Sequence, residues 1–344
     1  METFFESGIF FLRNLQSMGE WLVLPMRAVT FLGSEEFFLL VLPALYWCVD
    51  TALGFRVALI LLVASSLNGA LKLAFHAPRP YWISPEVKAF AAETSFGVPS
   101  GHAQIAAGVW GMIAATARRG WVWLVCGSLI LLIGFSRMYL GVHFPHDVIL
   151  GWLLGAITLG VMLWLWRPLS AHLALQSFGN RLLLALGVSF GMILIELIPY
   201  LWLRLNFTLP PSWLEHAAAA GAAERLPDPL TIEGAWSNAG AFFGLMLGFI
   251  WVGHCGRLDL SGKLGVRIAR YVVGLIGVLL LWRGLSVLFG LLALNELLSF
   301  LLRYVRYALT GFWISAGAPF LFLRLRWMTI APGESSKEAE ALAG

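Results

Sequence analysis

Three short stretches of this 344-residue chain contain residues that could carry out chemistry together. They read KLAFHAPRP, PSGH and SRMYLGVHFPHD, and each adjoins a long apolar run. Charged and titratable side chains beside such runs are costly unless they have partners or a function. The residues of interest are Lys72 and Arg79 in the first stretch, Ser100, Gly101 and His102 in the second, and Arg137, His143 and Asp147 in the third.

The cationic residues predict an anion site. Lys72, Arg79 and Arg137 would place three positive charges around one point, and such a cluster needs an anion. Guanidinium groups match tetrahedral oxyanions, and a glycine at a helix start lets an anion approach the free backbone N–H groups. With Ser100 and Gly101, these residues would form a phosphate cradle. Taken singly, Lys72 and Arg79 would more commonly be interfacial anchors, and Ser100 would be a helix cap.

The two histidines would then have separate tasks. His143 precedes Asp147 by four residues, so one helical turn would bring the carboxylate to one ring nitrogen and leave the other nitrogen nucleophilic. His102 would protonate the leaving oxygen. These groups are sufficient for phosphoryl transfer without a metal. We therefore expect no cofactor, no metal, activity that survives chelators, and inhibition by vanadate.

The composition predicts the scaffold that positions these residues. The chain is 59% hydrophobic and only 12% charged, and its apolar residues form long runs without amphipathic periodicity. About 20 such residues cross a bilayer as a helix. The sequence therefore predicts an all-α fold, a polytopic transmembrane helical bundle. The net charge of +4 is explained by basic cytoplasmic loops, so no nucleic-acid partner is expected.

The order of the apolar runs brings the three stretches together. We predict spanning helices near residues 36–50, 54–75, 101–117, 121–137, 147–167, 181–203, 236–253, 267–289 and 306–324, with 5–32 and 290–302 either interfacial or partial spans. The helices at 101–117 and 121–137 would cross the membrane and return, so the second and third stretches would lie on one face. The loop 76–100 contains no span and would join the first stretch to them.

At this spacing the three stretches resemble the signatures of the type-2 phosphatidic acid phosphatase superfamily. That superfamily shares its helical core with vanadium haloperoxidases and bacterial acid phosphatases, and the resemblance covers roughly residues 30–205. It implies a phosphohistidine intermediate on His143, with Asp147 as its orienting carboxylate and His102 as the acid. The phosphate-binding residues that it implies are Lys72, Arg79, Ser100, Gly101 and Arg137. The stretch FLGSEEFFLLVLPALYW also resembles the N-terminal region of members related to glucose-6-phosphatase and sphingosine-1-phosphate phosphatase.

The resemblance and the apolar pattern together predict the domain organisation. Residues 1–205 would form the membrane phosphatase core of six helices, in which 1–32 is an interfacial helix or the first to enter the membrane. An extramembrane loop would occupy 206–235, and additional transmembrane helices would occupy 236–326 as a C-terminal helical extension. The polar tail 327–344 is predicted to be disordered.

We thus expect an integral-membrane lipid phosphatase that hydrolyses a lipid phosphate monoester or diphosphate. Its partners would be that substrate and membrane lipids, and the C-terminal helices leave a homodimer open. The same residues would also serve a lipid-linked phosphotransferase, and a non-enzymatic lipid-binding or transport protein is the other alternative. Lysine and arginine are concentrated in the loops opposite the three stretches, which places the active site on the non-cytoplasmic face, periplasmic or extracellular in a bacterium and lumenal in a eukaryote.

Overall fold

The computed structural model describes residues 2–292 and 295–331, and most of these residues are helical. The helices are α1 (Glu2–Gln16), α2 (Val23–Phe31), α3 (Glu35–Ala44), α4 (Thr51–Phe75), α5 (Pro80–Ile83), α6 (Gly101–Ala117), α7 (Gly120–Tyr139), α8 (Pro145–Ala174), α9 (Phe178–Asn206), α10 (Pro211–Ala217), α11 (Glu233–Cys255), α12 (Leu264–Leu279), α13 (Leu285–Leu292), α14 (Glu296–Phe312) and α15 (Ala318–Arg324). Short 3-10 or π-helical turns occupy Glu20–Leu22, Leu45–Val49, Ala218–Ala222, Leu280–Gly284 and Trp313–Gly317. Two strands, β1 (Arg257–Asp259) and β2 (Thr329–Ala331), complete the elements.

The helices confirm an integral, multi-pass membrane protein. Within the described residues, six stretches are long and apolar enough to cross a membrane, namely Thr51–Ile83, Gly120–Tyr139, Pro145–Ala174, Phe178–Asn206, Glu233–Cys255 and Leu264–Leu292. A bent pair, Glu20–Phe31 with Glu35–Val49, would make a seventh. The predicted spans at 101–117 and 306–324 are helical but are not among the six. At 17 residues, α6 is shorter than the roughly 20 that a straight crossing needs.

The described chain divides into two compact units. The first contains the residues up to Phe38 together with 63–167 and 194–235. The second contains 39–62, 168–193 and the described residues from Trp236 onwards. All three stretches singled out from the sequence fall in the first unit.

In the first unit, α6 lies unusually close to α8. Gly151 and Gly155 on α8 are buried against α6, and a Cβ at Gly151 would lie only 2.6 Å from the carbonyl oxygen of Ser100. A buried amide pair joins α6 to α4, because Asn68 Nδ2 donates to Gln104 Oε1 at 2.9 Å. Gln104 Nε2 in turn donates to the carbonyl oxygen of Ala64 at 3.2 Å. Small residues and satisfied amides thus fix the position of α6.

The loop between α5 and α6 is tied to the N-terminal helices. Gln16 at the end of α1 donates to the carbonyl oxygen of Lys88 at 2.8 Å and accepts from its N–H at 3.0 Å. Arg27 on α2 donates to the carbonyl oxygen of Phe90 at 2.6 Å. The segment predicted as an extramembrane loop, 206–235, also contacts this loop, since the N–H of Ala89 donates to the carbonyl oxygen of Ala220 at 2.9 Å.

The second unit packs around large aromatic residues and one buried arginine. The rings of Phe55 and Phe249 are stacked with centroids 3.7 Å apart, and the indole of Trp47 is fully buried against Phe322. Arg270 is also fully buried, and its guanidinium donates to the carbonyl oxygens of Trp47, Leu260 and Ser261 at 2.8–3.1 Å.

A small antiparallel ribbon in the second unit corrects one prediction. Strands β1 and β2 pair with Leu258 opposite Ile330, so residues 329–331 are ordered, although 327–344 was predicted to be disordered. The prediction was wrong for these three residues, because their backbone pairs with a strand about seventy residues earlier in the chain. The rest of the predicted tail, 332–344, lies outside the described residues. The cysteines Cys48, Cys126 and Cys255 are free.

Candidate active site

The three stretches converge on one cavity in the first unit. The cavity has a volume of about 370 Å³, and six of the predicted site residues line it, namely Lys72, Arg79, Gly101, His102, Arg137 and His143. The other two, Ser100 and Asp147, are fully buried. The N–H of Ser100 donates to the carbonyl oxygen of Asp147 at 3.0 Å, which fastens the start of α6 to the start of α8.

The N-terminus of α6 presents unsatisfied donors. Ser100 is the N-cap residue, but its hydroxyl makes no capping bond, and its Oγ has no hydrogen-bond partner among the described residues. A buried hydroxyl without a partner is costly. Gly101 follows, where a Cβ would lie 2.9 Å from Asn68 Oδ1, so a side chain would not fit. His102 lines the cavity from the first turn of the helix. This helix start is therefore ready to accept an anion.

Arg79 connects two loops and touches the proposed nucleophile. Its side chain is fully buried, Nε donates to the carbonyl oxygen of Ser95 at 2.7 Å, and Nη1 donates to that of Val142 at 2.9 Å. Nη1 also lies 3.2 Å from Nε2 of His143. Arg79 thus joins the α5–α6 loop to the α7–α8 loop, and its positive charge lies where the two loops meet.

The other two cations have fewer partners. Lys72 Nζ donates to Ser95 Oγ at 2.8 Å. Arg137, in the last turn of α7, is 2% exposed, and its Nη1 donates to Thr30 Oγ1 at 2.9 Å. Its Nη2 donates to Glu93 Oε1 at 2.5 Å, whereas its buried Nε has no partner among the described residues. Arg137 therefore retains a free donor.

The hydrogen bonds of His143 define its tautomer. Nδ1 lies 3.3 Å from Asp147 Oδ2, which also accepts from the N–H of Phe144 at 2.9 Å. Nε2 faces the guanidinium of Arg79, which can only donate, so Nε2 must be the acceptor and Nδ1 must carry the proton. Burial and the Arg79 guanidinium lower the pKa of His143 to about 3, even though Asp147 acts in the opposite direction. The imidazole is therefore neutral near pH 7, with its lone pair on Nε2.

Several residues at this site were not identified from the sequence. Glu93 and Thr30 hold Arg137, and Arg225 from the 206–235 segment lines the cavity. His146 has Nε2 3.0 Å from Asp147 Oδ1. Glu35 also lines the cavity from the first turn of α3. His146 lies inside the third stretch, but the other four residues lie outside all three stretches and each comes from a different element, so no spacing rule connects them to the site.

Comparison with known proteins places these residues inside a recognised family region. The family model described as PAP2 superfamily matches residues 53–170, which contain all eight predicted site residues. A second family model, described as the transmembrane extension of PAP2 superfamily phosphatases, matches residues 236–330. The C-terminal helices lie beyond the region that the resemblance covers, and they match a family model of their own.

The chain is also similar to individual proteins. The chain is 30% identical to human glucose-6-phosphatase 3 over 239 residues, and the aligned region covers 62% of this chain and 65% of that protein. It is 31% identical over 153 residues to phosphatidylglycerophosphatase B of Bacillus subtilis, which covers 40% of this chain and 71% of the relative. The crystal structure of a transmembrane PAP2-type phosphatidylglycerolphosphate phosphatase from Bacillus subtilis is 25% identical, with a TM-score of 0.41, and covers 47% of this chain and 86% of that one.

Proposed function

This chain belongs to the PAP2 superfamily, and from that premise we propose that it hydrolyses a phosphate ester through a covalent phosphohistidine formed on His143. The observation that carries the proposal is the lone pair of a buried, neutral His143 at a cavity lined by three cations. Ser100 Oγ and Arg137 Nε, both buried and without partners among the described residues, are the donors that a phosphoryl group would satisfy.

In the proposed first step, Nε2 of His143 attacks phosphorus and the bond from phosphorus to the ester oxygen breaks. The leaving alkoxide takes its proton from His102. Burial and the Arg137 guanidinium lower the pKa of that ring well below its usual range, so the negative charge of the bound phosphate must keep it protonated. The carboxylate of Asp147 stabilises the positive charge on the phosphorylated His143. In the second step, water attacks phosphorus as neutral His102 accepts its proton. Phosphate leaves, and Nε2 recovers its lone pair.

The charge that develops on the phosphoryl oxygens would be stabilised by the protein itself. Lys72, Arg79 and Arg137 supply cations, and Ser100 and the N-terminal N–H groups of α6 supply hydrogen bonds. Such preorganised donors commonly contribute about 10²–10³ each in rate. Among the residues that the structure describes, no three His, Cys, Asp or Glu side chains gather as metal ligands. Metal independence is part of the proposal, because the cations and hydrogen-bond donors already supply the stabilisation that a metal would provide.

We propose a lipid phosphate as the substrate, because the site lies at the ends of apolar helices where a tail could remain in the bilayer. A water-soluble sugar phosphate is the second candidate. It is favoured by the polar lining of the cavity, which includes Ser34, Glu35 and Glu36, and by the similarity to proteins named glucose-6-phosphatase. Carboxylates suit the hydroxyl groups of a polyol better than a hydrocarbon tail.

We also propose that the cavity opens on the non-cytoplasmic face. Arg118 and Arg119 form the turn between α6 and α7, at the opposite end of these helices from His102 and Arg137. By the positive-inside rule that turn is cytoplasmic. A reporter fused after Gly120 should then behave as cytoplasmic, and an external signal would invert this topology.

The central experiment measures phosphate release by the full chain in detergent. Phosphatidic acid, phosphatidylglycerophosphate, a polyprenyl diphosphate and glucose 6-phosphate are compared as substrates. His143→Ala should abolish turnover and covalent labelling by ³²P-substrate, whereas His102→Ala should slow turnover by about 10²–10⁴-fold. His172→Ala, at the far end of α8, is the matched control. Product analysis with an added acceptor alcohol separates hydrolysis from transfer. Normal turnover in His143→Ala would refute the covalent step.

A further inference from the structure

We propose that Glu93 is an internal counter-anion that shares Arg137 with the phosphoryl group, limits the affinity of the site for phosphate and thereby favours product release. The inference rests on the proposed function, because it takes the cavity to be a phosphate site. It concerns a residue that lies outside the three stretches, in the loop between α5 and α6.

The backbone N–H and carbonyl oxygen of Glu93 both form hydrogen bonds with one buried residue. The N–H of Glu93 donates to the hydroxyl oxygen of Tyr81 at 2.9 Å, and that hydroxyl donates to the carbonyl oxygen of Glu93 at 2.8 Å. Tyr81 is fully buried, so it fixes this point of the loop. The carboxylate then extends into the cavity and meets Arg137, with side-chain exposures of 25% for Glu93 and 3% for Arg137.

The carboxylate stands among the cations that would receive phosphate. Although burial raises the pKa of Glu93, the guanidinium groups of Arg137 and Arg79 outweigh it and hold that pKa well below its usual range. His102 and Lys72 act in the same direction. Glu93 is therefore ionised at neutral pH, and the free site already contains a negative charge.

Arg137 can bind both anions at once. Nη1 donates to Thr30 and Nη2 donates to Glu93, but Nε is buried and has no partner among the described residues. A phosphoryl oxygen can bind Nε while Glu93 keeps Nη2. The two anions would then be neighbours, and their repulsion weakens phosphate binding. Glu93 therefore does not block the site, but it lowers the affinity for a dianion.

A purely structural role for Glu93 predicts the opposite result. If Glu93 only held Arg137 in place, removing its charge would loosen the guanidinium and weaken phosphate binding. Thr30 also holds Arg137, however, and the amide oxygen of a glutamine could still accept from Nη2. The variant Glu93→Gln thus removes the charge and keeps the hydrogen bond, and the sign of its effect separates the two roles.

The test uses the full chain in detergent and measures inhibition by inorganic phosphate and direct binding of phosphate by calorimetry. In Glu93→Gln we expect phosphate to bind at least tenfold more tightly than in the wild type. Glu93→Asp, which keeps the charge, should not bind it more tightly. Thr30→Val, which removes only a positioning bond to Arg137, should bind phosphate more weakly. Glu36→Gln removes a carboxylate at the same cavity and should change the affinity by less than threefold.

Unchanged or weaker phosphate binding in Glu93→Gln would overturn the inference. Should that variant fail to fold, Glu93→Ala removes the charge together with the hydrogen bond to Nη2, while Thr30 still holds Arg137, and this variant must also bind phosphate more tightly. Failure of the proposed function is distinguishable: in that case the wild type would neither bind phosphate nor release it from any substrate. A wild type that binds phosphate and a Glu93→Gln variant that binds it no more tightly would refute only the inference about Glu93.

Discussion

The substitution Gly151→Ala tests whether the close approach of α8 to α6 positions the active site. Gly151 is buried on α8, where a Cβ would lie 2.6 Å from the carbonyl oxygen of Ser100 and 3.0 Å from the Cβ of Ala103. Asp147, the partner of His143, lies at the start of α8, and Ser100 lies at the start of α6. A methyl group at Gly151 would therefore push the phosphate cradle away from the nucleophile.

The structure gives the size of this displacement. Cβ contacts in proteins are seldom closer than 3.4 Å, so the carbonyl oxygen of Ser100 must withdraw by about 0.8 Å. Overpacking of this kind costs about 1–3 kcal/mol of stability. A misplacement near 1 Å can reduce the rate about 10²-fold. We therefore expect Gly151→Ala to fold with a lower melting temperature and to lose about 10- to 100-fold in kcat.

Phosphate release and thermal unfolding of the detergent-purified protein are the measurements. The matched control is Gly160→Ala on the same helix, where a Cβ would meet nothing within 4 Å among the described residues. Alanine also has the higher helix propensity, so this variant should match the wild type in rate and stability. If Gly151→Ala is as active and as stable as Gly160→Ala, close packing of α8 on α6 does not position the site.

Three further predictions concern single residues of the site. Asn68→Leu leaves Oε1 of the buried Gln104 without its donor and should cost about 1–3 kcal/mol in the free energy of unfolding, whereas the double variant with Gln104→Leu should lose less than the sum of the single variants. Ser100→Ala removes an unpartnered hydroxyl, so stability should hold while vanadate inhibition weakens about tenfold or more. His143 is depressed from a usual pKa of 6.5 to about 3, so the folded state binds fewer protons than the unfolded state between these values. Stability should fall as the pH drops from 6.5 towards 3, and the melting temperature of His143→Asn should fall less steeply.

Six of the residues that line the cavity were predictable because they belong to three sequence motifs with fixed spacing. A histidine four residues before an aspartate, and a Ser-Gly-His at a helix start, specify both residue type and local geometry. The apolar runs between them then determine which helix ends meet. Chain connectivity was sufficient to bring Lys72, His102 and Arg137 to one cavity, as the structure shows.

The partners of these residues were not predictable in the same way. Nothing in the sequence links Thr30 or Glu93 to Arg137, because those contacts depend on how α2 and the α5–α6 loop pack. Arg79 illustrates the same limit: its type predicted an anion ligand, but most of its donors hold backbone carbonyl oxygens of two loops. The ribbon of β1 and β2 has only three residues in each strand, too few for an alternating pattern to be read.

The contacts of Arg79 and Glu93 together suggest how the site tolerates its own charge. Three cations around one cavity repel each other, and the free protein offsets this repulsion by binding Arg79 to backbone carbonyl oxygens and Arg137 to Glu93. The Glu93 carboxylate stabilises the three cations when no phosphate is bound, but it repels any dianion that enters the cavity. Catalysis requires tight binding of the transition state, not of the product. If Glu93 limits product affinity, a variant without its charge should bind phosphate more tightly and, wherever product release limits the rate, should also turn over more slowly.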